Sequence, residues 1–261
     1  MSSGPFLLML DILIACRTVF TYVIVLAYIA VVGPIGLAIV LLFRWSGGLY
    51  ALGHGGVWLA LTLAGIRYRV AGREHVPATA VVFCSNHESN VDPPVLFEAL
   101  HPRLHVLYKA ELHKFPIMGT VFDFGGFVPI DRGDRDKALA SIARGAESLR
   151  AGNSFLIFPE GTRSRTGHLL RFKKGGFIMA IQAQVPIVPV AVQGGRAAMR
   201  KGSAVVRPVR VSVRIGRPIP TKGLTMDDRD ALIDRVRDEV ERLLAEGSVW
   251  TKAPEARLSA S

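Results

Sequence analysis

The chain has 261 residues, half of them apolar, and a formal charge of +11 from 32 Lys or Arg against 21 Asp or Glu. That length is one domain, with or without an appendage, and a sizeable core; its mean hydropathy of +0.33 is high for a fully soluble protein. Apolar and basic character together point to a membrane-associated protein that meets anionic lipid or substrate, while two cysteines, Cys16 and Cys84, both in apolar runs, argue against a disulfide framework.

Residues 19 to 43 run for 25 positions without a charge, and about 20 apolar residues of helix cross a hydrocarbon core. Gly33-Pro34 in the middle predicts a kink. A second apolar stretch covers 49 to 66, so two helices with a turn near 44 to 48 are expected. They either span the bilayer or form a hairpin in one leaflet; a buried core pair is the plainer alternative. A signal peptide does not fit, because the N-terminus lacks basic residues, carries Asp11 and opens an overlong apolar run. Most Lys and Arg lie C-terminal to these helices, which predicts an inner-membrane protein with its remaining domain on the cytoplasmic side.

From residue 67 the pattern changes. Segments 80–86, 104–108, 127–130, 154–158, 186–192 and 209–215 read as strands, several apolar on consecutive positions as in strands buried on both faces. Segments 134–152, 174–184 and 225–247 read as helices, the last capped by Thr225 and stopped at Gly247. Alternation of strand and helix predicts an α/β fold: a largely parallel central sheet flanked by helices, preceded by an N-terminal hydrophobic helical (membrane) segment. The expected divisions are membrane-associated helices over 1–66, a catalytic domain over 67–247 and a flexible tail over 248–261.

Between Gly161 and Met226 there are 13 Lys or Arg and no acid, which favours an anion-facing surface over an ordinary solvated one. Only Phe172 and Phe177 are aromatic there, so stacking platforms for nucleic acid are poor, and nucleic acid is not expected as a partner.

Three blocks carry ionisable groups at strand ends. In "NHESNVDPP", His87 and Asp92 are five apart. They meet only if the chain turns between a strand ending at Asn86 and a helix starting at Pro93. That turn would put His87 at the carboxyl end of the sheet, where open α/β folds bind ligands. Asp92 would then fix the imidazole tautomer and leave the other nitrogen as a base; alternatively it only caps the helix. In "FPEGTRSR", Gly161 permits a tight turn, and Thr162 and Arg163 suit a phosphate. Glu160 would bind a substrate hydroxyl or hold Arg163. "GGFVPIDR" ends in Arg132, "RFKKGG" adds Lys173, and "VPIVPVAV" reads as wall.

Taken together, these blocks resemble the glycerolipid acyltransferases, most closely the 1-acylglycerol-3-phosphate acyltransferases. The four motifs of that family are matched in order at Asn86, His87 and Asp92, at Phe127, Ile130 and Arg132, at Phe158 to Ser164, and at 185 to 190. "YKAELHKFPIMG" (108–119) is similar to the family's lysine-containing segment. Glu88 stands where many members carry glutamine. The resemblance spans roughly 67 to 220. It implies transfer of a fatty acyl group from acyl-CoA or an acyl carrier protein thioester to a lysophospholipid hydroxyl, giving phosphatidic acid at the bilayer with no cofactor and no metal. It also implies His87 as base, Asp92 as its orienting partner, and Lys109, Arg132, Arg163 and Lys173 around the phosphate, with Glu160, Gly161 and Thr162 lining the same site.

Other readings remain. Cys84 could be a nucleophile, but a Cys inside an apolar strand is usually inert. His101, His105 and His113 lack a compact partner set for a metal. Another lysolipid acceptor, such as a lyso-ornithine lipid, or a silent lipid-binding protein of the same fold, is the alternative function.

Overall fold

The computed structural model describes residues 4–43, 46–100, 104–114, 116–131, 133–199 and 202–250. Its first elements are two helices, α1 (Gly4–Phe43) and α2 (Ser46–Ala64). α1 starts well before residue 19 and continues through Pro34 without a break. The early start is possible because both charges of its first turns are satisfied. Asp11 pairs with Arg207 at 3.0 Å, and Arg17 Nε donates to Leu63 O at 2.6 Å. Glycines on α2 let the helices close: a Cβ at Gly56 would lie 2.8 Å from the Tyr28 ring.

α1 is long and apolar enough to cross a membrane by length and composition. Leu26, Val31, Leu42 and Phe43 are exposed along it, an apolar surface of the kind that needs a partner or a lipid phase. α2 instead lies against the rest of the chain. Tyr50 Oη donates to Gly125 O at 2.7 Å, and His54 Nδ1 sits 2.6 Å from Glu98 Oε1.

The strands β1 (Ile66–Ala71), β2 (Val82–Ser85), β3 (Leu104–Lys109), β4 (Val128–Ile130), β5 (Ser154–Ile157), β6 (Ile187–Gln193) and β7 (Val209–Ile215) form one sheet in the order β1-β7-β6-β2-β5-β3-β4. Every neighbouring pair is parallel except β6 with β7. The helices α3 (Asp92–Leu100), α4 (Pro116–Phe124), α5 (Arg135–Arg150), α6 (Gly175–Ala183), the single turn α7 (Gly195–Ala198) and α8 (Arg229–Ala245) connect or cover the strands. The expected α/β class and largely parallel sheet are found.

The central strands separate two apolar layers, which is why they read as unbroken apolar runs. In β2, Phe83 faces the layer with Val95, Leu96 and Val190, while Val82 and Cys84 face the layer with Phe177, Met179 and Val236. β1 was not among the expected strands. It is an edge strand whose Arg67 and Arg69 point outward in alternation with Ile66 and Val70, a weaker signal than a continuous run. Thr225 caps a turn ahead of α8 rather than α8 itself: its amide and hydroxyl both donate to Asp228 Oδ2. Of the tail, Trp250 lies on β7, its Nε1 donating to Val211 O at 3.0 Å; residues 251–261 are outside the described residues.

Because β2, β5 and β6 are parallel neighbours, their carboxyl ends lie side by side. The loops that follow them carry His87, Glu160 and Gly194.

Candidate active site

β2 ends at Ser85, and the next residue locks its exit. Asn86 Nδ2 donates to Val192 O at 2.8 Å and its Oδ1 accepts from Val192 N at 2.7 Å. The chain then turns, and Asp92, fully buried at the start of α3, reaches back over that turn. Its Oδ2 accepts from His87 Nδ1 at 2.9 Å and from the amides of Glu88 and Ser89 at 2.7 Å each. The carboxylate therefore points backward to the histidine instead of forward into the helix, which decides between the pair and the simple cap. With a carboxylate accepting at Nδ1, the ring proton sits there. Nε2 has no protein partner among the described residues and is the nitrogen available to a substrate.

The ring itself is held in place. His87 stacks on Phe158 with centroids 4.2 Å apart, and its side chain keeps 16% of its surface open. Glu160, only 3% exposed, holds the backbone: Oε1 accepts from His87 N at 2.8 Å and Oε2 from Leu170 N at 2.9 Å. Among the described residues no ion pair joins it to Arg163. The alternative in which Glu160 holds Arg163 is thus replaced by one in which it joins the β2 and β5 loops. Burial pushes its carboxyl pKa up.

Glu88 is a third buried carboxylate here. Oε1 accepts from Arg196 N at 3.2 Å, and its pKa is raised by burial and by the neighbouring Asp92. Gly195 lies against Asp92, where a Cβ would come within 2.4 Å of Oδ1. The loops after β2 and β6 are thus locked together. Sequence reasoning missed these contacts of Glu88 and the position of Arg196, because backbone donors leave no mark in a sequence.

The loop after β5 crosses over the histidine. Ser164 N donates to His87 O at 2.8 Å, which carries Arg163 and Arg165 to either side of that contact. Arg163 is half-buried, and its Nη1 is buried without a partner among the described residues. Gly161 has φ 68°, and a Cβ there would come within 2.8 Å of Lys173 Nζ, so the turn and the lysine are in close contact. Thr162 is exposed beside them. Lys109 stands apart: it ends β3, one strand beyond β5, and pairs with Glu111 at 2.9 Å on the surface. Arg132 lies outside the described residues.

Cys84 is completely buried, and desolvation pushes its thiol pKa far up, so it is not a thiolate nucleophile. Among the described residues no group of His, Cys, Asp and Glu could hold a metal ion. His113 bonds Tyr108 Oη at 2.8 Å, and His101 is outside the described residues.

Known proteins resemble this chain in sequence and fold. A family model described as Acyltransferase matches residues 67–193. The 1-acyl-sn-glycerol-3-phosphate acyltransferase of Limnanthes douglasii is 33% identical over 240 residues, which is 89% of this chain and 84% of that protein. The chain belongs to the 1-acyl-sn-glycerol-3-phosphate acyltransferase family. The human alpha member is 37% identical over 177 residues, 67% of this chain and 62% of its own. The crystal structure of the 1-acyl-sn-glycerophosphate acyltransferase from Thermotoga maritima superposes with a TM-score of 0.77 at 26% identity, covering 90% of this chain and 96% of that one. As a member of this family, the chain is an O-acyltransferase.

Proposed function

We propose that the chain transfers a fatty acyl group from an acyl thioester to the sn-2 hydroxyl of 1-acylglycerol 3-phosphate, giving phosphatidic acid. The observation that carries this reading is the 2.9 Å bond between His87 Nδ1 and Asp92 Oδ2 beside an unpartnered Nε2. Nε2 takes the hydroxyl proton as the oxygen attacks the thioester carbonyl. Asp92 stabilises the imidazolium that forms. As the tetrahedral intermediate collapses, the C–S bond breaks and the imidazolium returns its proton to the departing thiolate. A thiolate is a good leaving group, so no acyl-enzyme is required.

Arg163, half-buried in the loop whose Ser164 amide donates to His87 O, would hold the acceptor phosphate, with Lys173 beside Gly161 and Arg132 adding positive charge around it; Lys109, at the end of β3, stands away from that loop. Holding the phosphate positions the sn-2 oxygen at Nε2, since phosphate and hydroxyl are only two carbons apart. Glu160 and Gly161 shape the loop and Thr162 lines it. No cofactor takes part; the thioester, acyl-CoA or acyl carrier protein, is a co-substrate. The apolar α1 would hold the domain at the cytoplasmic face of the inner membrane, where both lipid substrates partition.

The acceptor is tested by comparing 1-acylglycerol 3-phosphate, 1-acylglycerol and a lyso-ornithine lipid with one donor. At least a hundredfold advantage in kcat/KM for the phosphate ester is expected if about two charge-assisted contacts are lost without it. Equal turnover of the three would overturn the assignment.

A further inference from the structure

The proposed reaction brings two anionic molecules to one histidine, yet the cations assigned to the acceptor all follow β4 or β5 in sequence. β2 has another neighbour, β6. On that flank stands Arg196, whose guanidinium donates from Nη1 to Arg165 O at 3.1 Å. Its own amide donates to Glu88, the residue after the base. Arg165 follows Ser164, whose amide donates to His87 O. Each arginine is therefore tied through backbone bonds to His87 or its neighbour. Both side chains are exposed, and neither has a carboxylate partner among the described residues.

We propose that Arg165 and Arg196 form the binding site for the phosphate of a pantetheine-bearing acyl donor, entering where the loops after β5 and β6 meet, while the acceptor occupies the side of the β5 loop that carries Arg163 and Lys173. This rests on the acyltransfer reading above. The chemistry of the two substrates separates their cations. The acceptor phosphate lies two carbons from the reacting hydroxyl, so its cation must be close and half-buried, as Arg163 is. The donor phosphate lies at the far end of the pantetheine arm from the thioester, so its cations belong at the exposed rim. A guanidinium held at its backbone and free of competing carboxylates suits that task.

The test uses the full chain in detergent. Coenzyme A and phosphopantetheine are titrated, without acceptor, into wild type and into Arg165→Ala/Arg196→Ala. Acyl-CoA and acyl-pantetheine, which lacks the phosphate, are then compared as donors. Coenzyme A affinity should fall about tenfold for each arginine lost, and the preference for acyl-CoA over acyl-pantetheine should shrink by a similar factor. Arg165→Lys/Arg196→Lys should recover part of both, which separates lost charge from misfolding. A loss with both titrants assigns the pantetheine phosphate; a loss with coenzyme A alone assigns its nucleotide phosphates; either supports the site. Unchanged affinity and preference would overturn it, as would a rise confined to the acceptor KM. If wild type binds coenzyme A but does not acylate 1-acylglycerol 3-phosphate, the acceptor assignment fails while the donor site stands.

Discussion

Two sets of carboxylates in this molecule are held in opposite ways. At the carboxyl ends of β2 and β5, Glu88, Asp92 and Glu160 are buried, and none forms an ion pair with Lys or Arg among the described residues; backbone amides and one imidazole bind them. On α8, Glu239 accepts from Arg242 at 2.7 Å and Asp230 from Arg229 at 2.9 Å, all near solvent. The guanidinium of Arg242 lowers the pKa of Glu239, and Arg229 with Lys174 lowers that of Asp230 to about 2. Burial raises Glu88 and Glu160 instead. The surface set gains from charge pairing that solvent largely screens. The buried set carries a desolvation cost, and what it secures is the placement of His87.

The sharpest break in that contrast is Asp92→Asn. The variant keeps the volume and removes the charge that stabilises the imidazolium, so kcat should fall about a thousandfold with little change in KM. A kcat within a few-fold of wild type would make the pair merely structural. Glu160→Gln should come next. One carbonyl oxygen cannot serve both the His87 and Leu170 amides, and a buried unpaired N–H costs about 1–3 kcal/mol. Urea denaturation would read that loss, and kcat should fall by up to about a hundredfold as the histidine loosens.

Glu88→Gln tests the direction of a pKa shift. A carboxyl whose folded pKa is raised contributes stability that is present below its unfolded pKa and lost as pH rises through the folded value. Wild type should therefore lose stability relative to Glu88→Gln as pH rises above the ordinary glutamate range, which thermal melts at a series of pH values would show. The opposite trend would mean that the backbone donors from the β6 loop outweigh burial. Arg242→Ala, on the surface set, should shift Tm by no more than about 2 °C; a larger drop would erase the distinction between the two sets.

Much of this was legible in the sequence, for identifiable reasons. β2, β5 and β6 are buried on both faces, so their apolar runs marked them as strands. The turn between His87 and Asp92 followed from Asn90 and the two prolines after Asp92, which start α3. Three things were not legible. β1 lies at an edge and alternates. α4 lies in the segment that was read only for its lysine. The task of Glu160 depends on two backbone amides from separate loops, which no residue pattern encodes. For the same reason the contact between Glu88 and the turn at Gly195 and Arg196 emerged only from the fold.

The central claim is that Nε2 of His87 removes the proton from the sn-2 hydroxyl of 1-acylglycerol 3-phosphate. Free thiol and phosphatidic acid should be followed together, in liposomes, for wild type and His87→Ala with acyl-CoA as donor. Wild type should release equal amounts of thiol and phosphatidic acid, and the variant should be slower by a factor of about 10² to 10⁴, the size of a general-base contribution. Comparable phosphatidic acid formation by His87→Ala would contradict it.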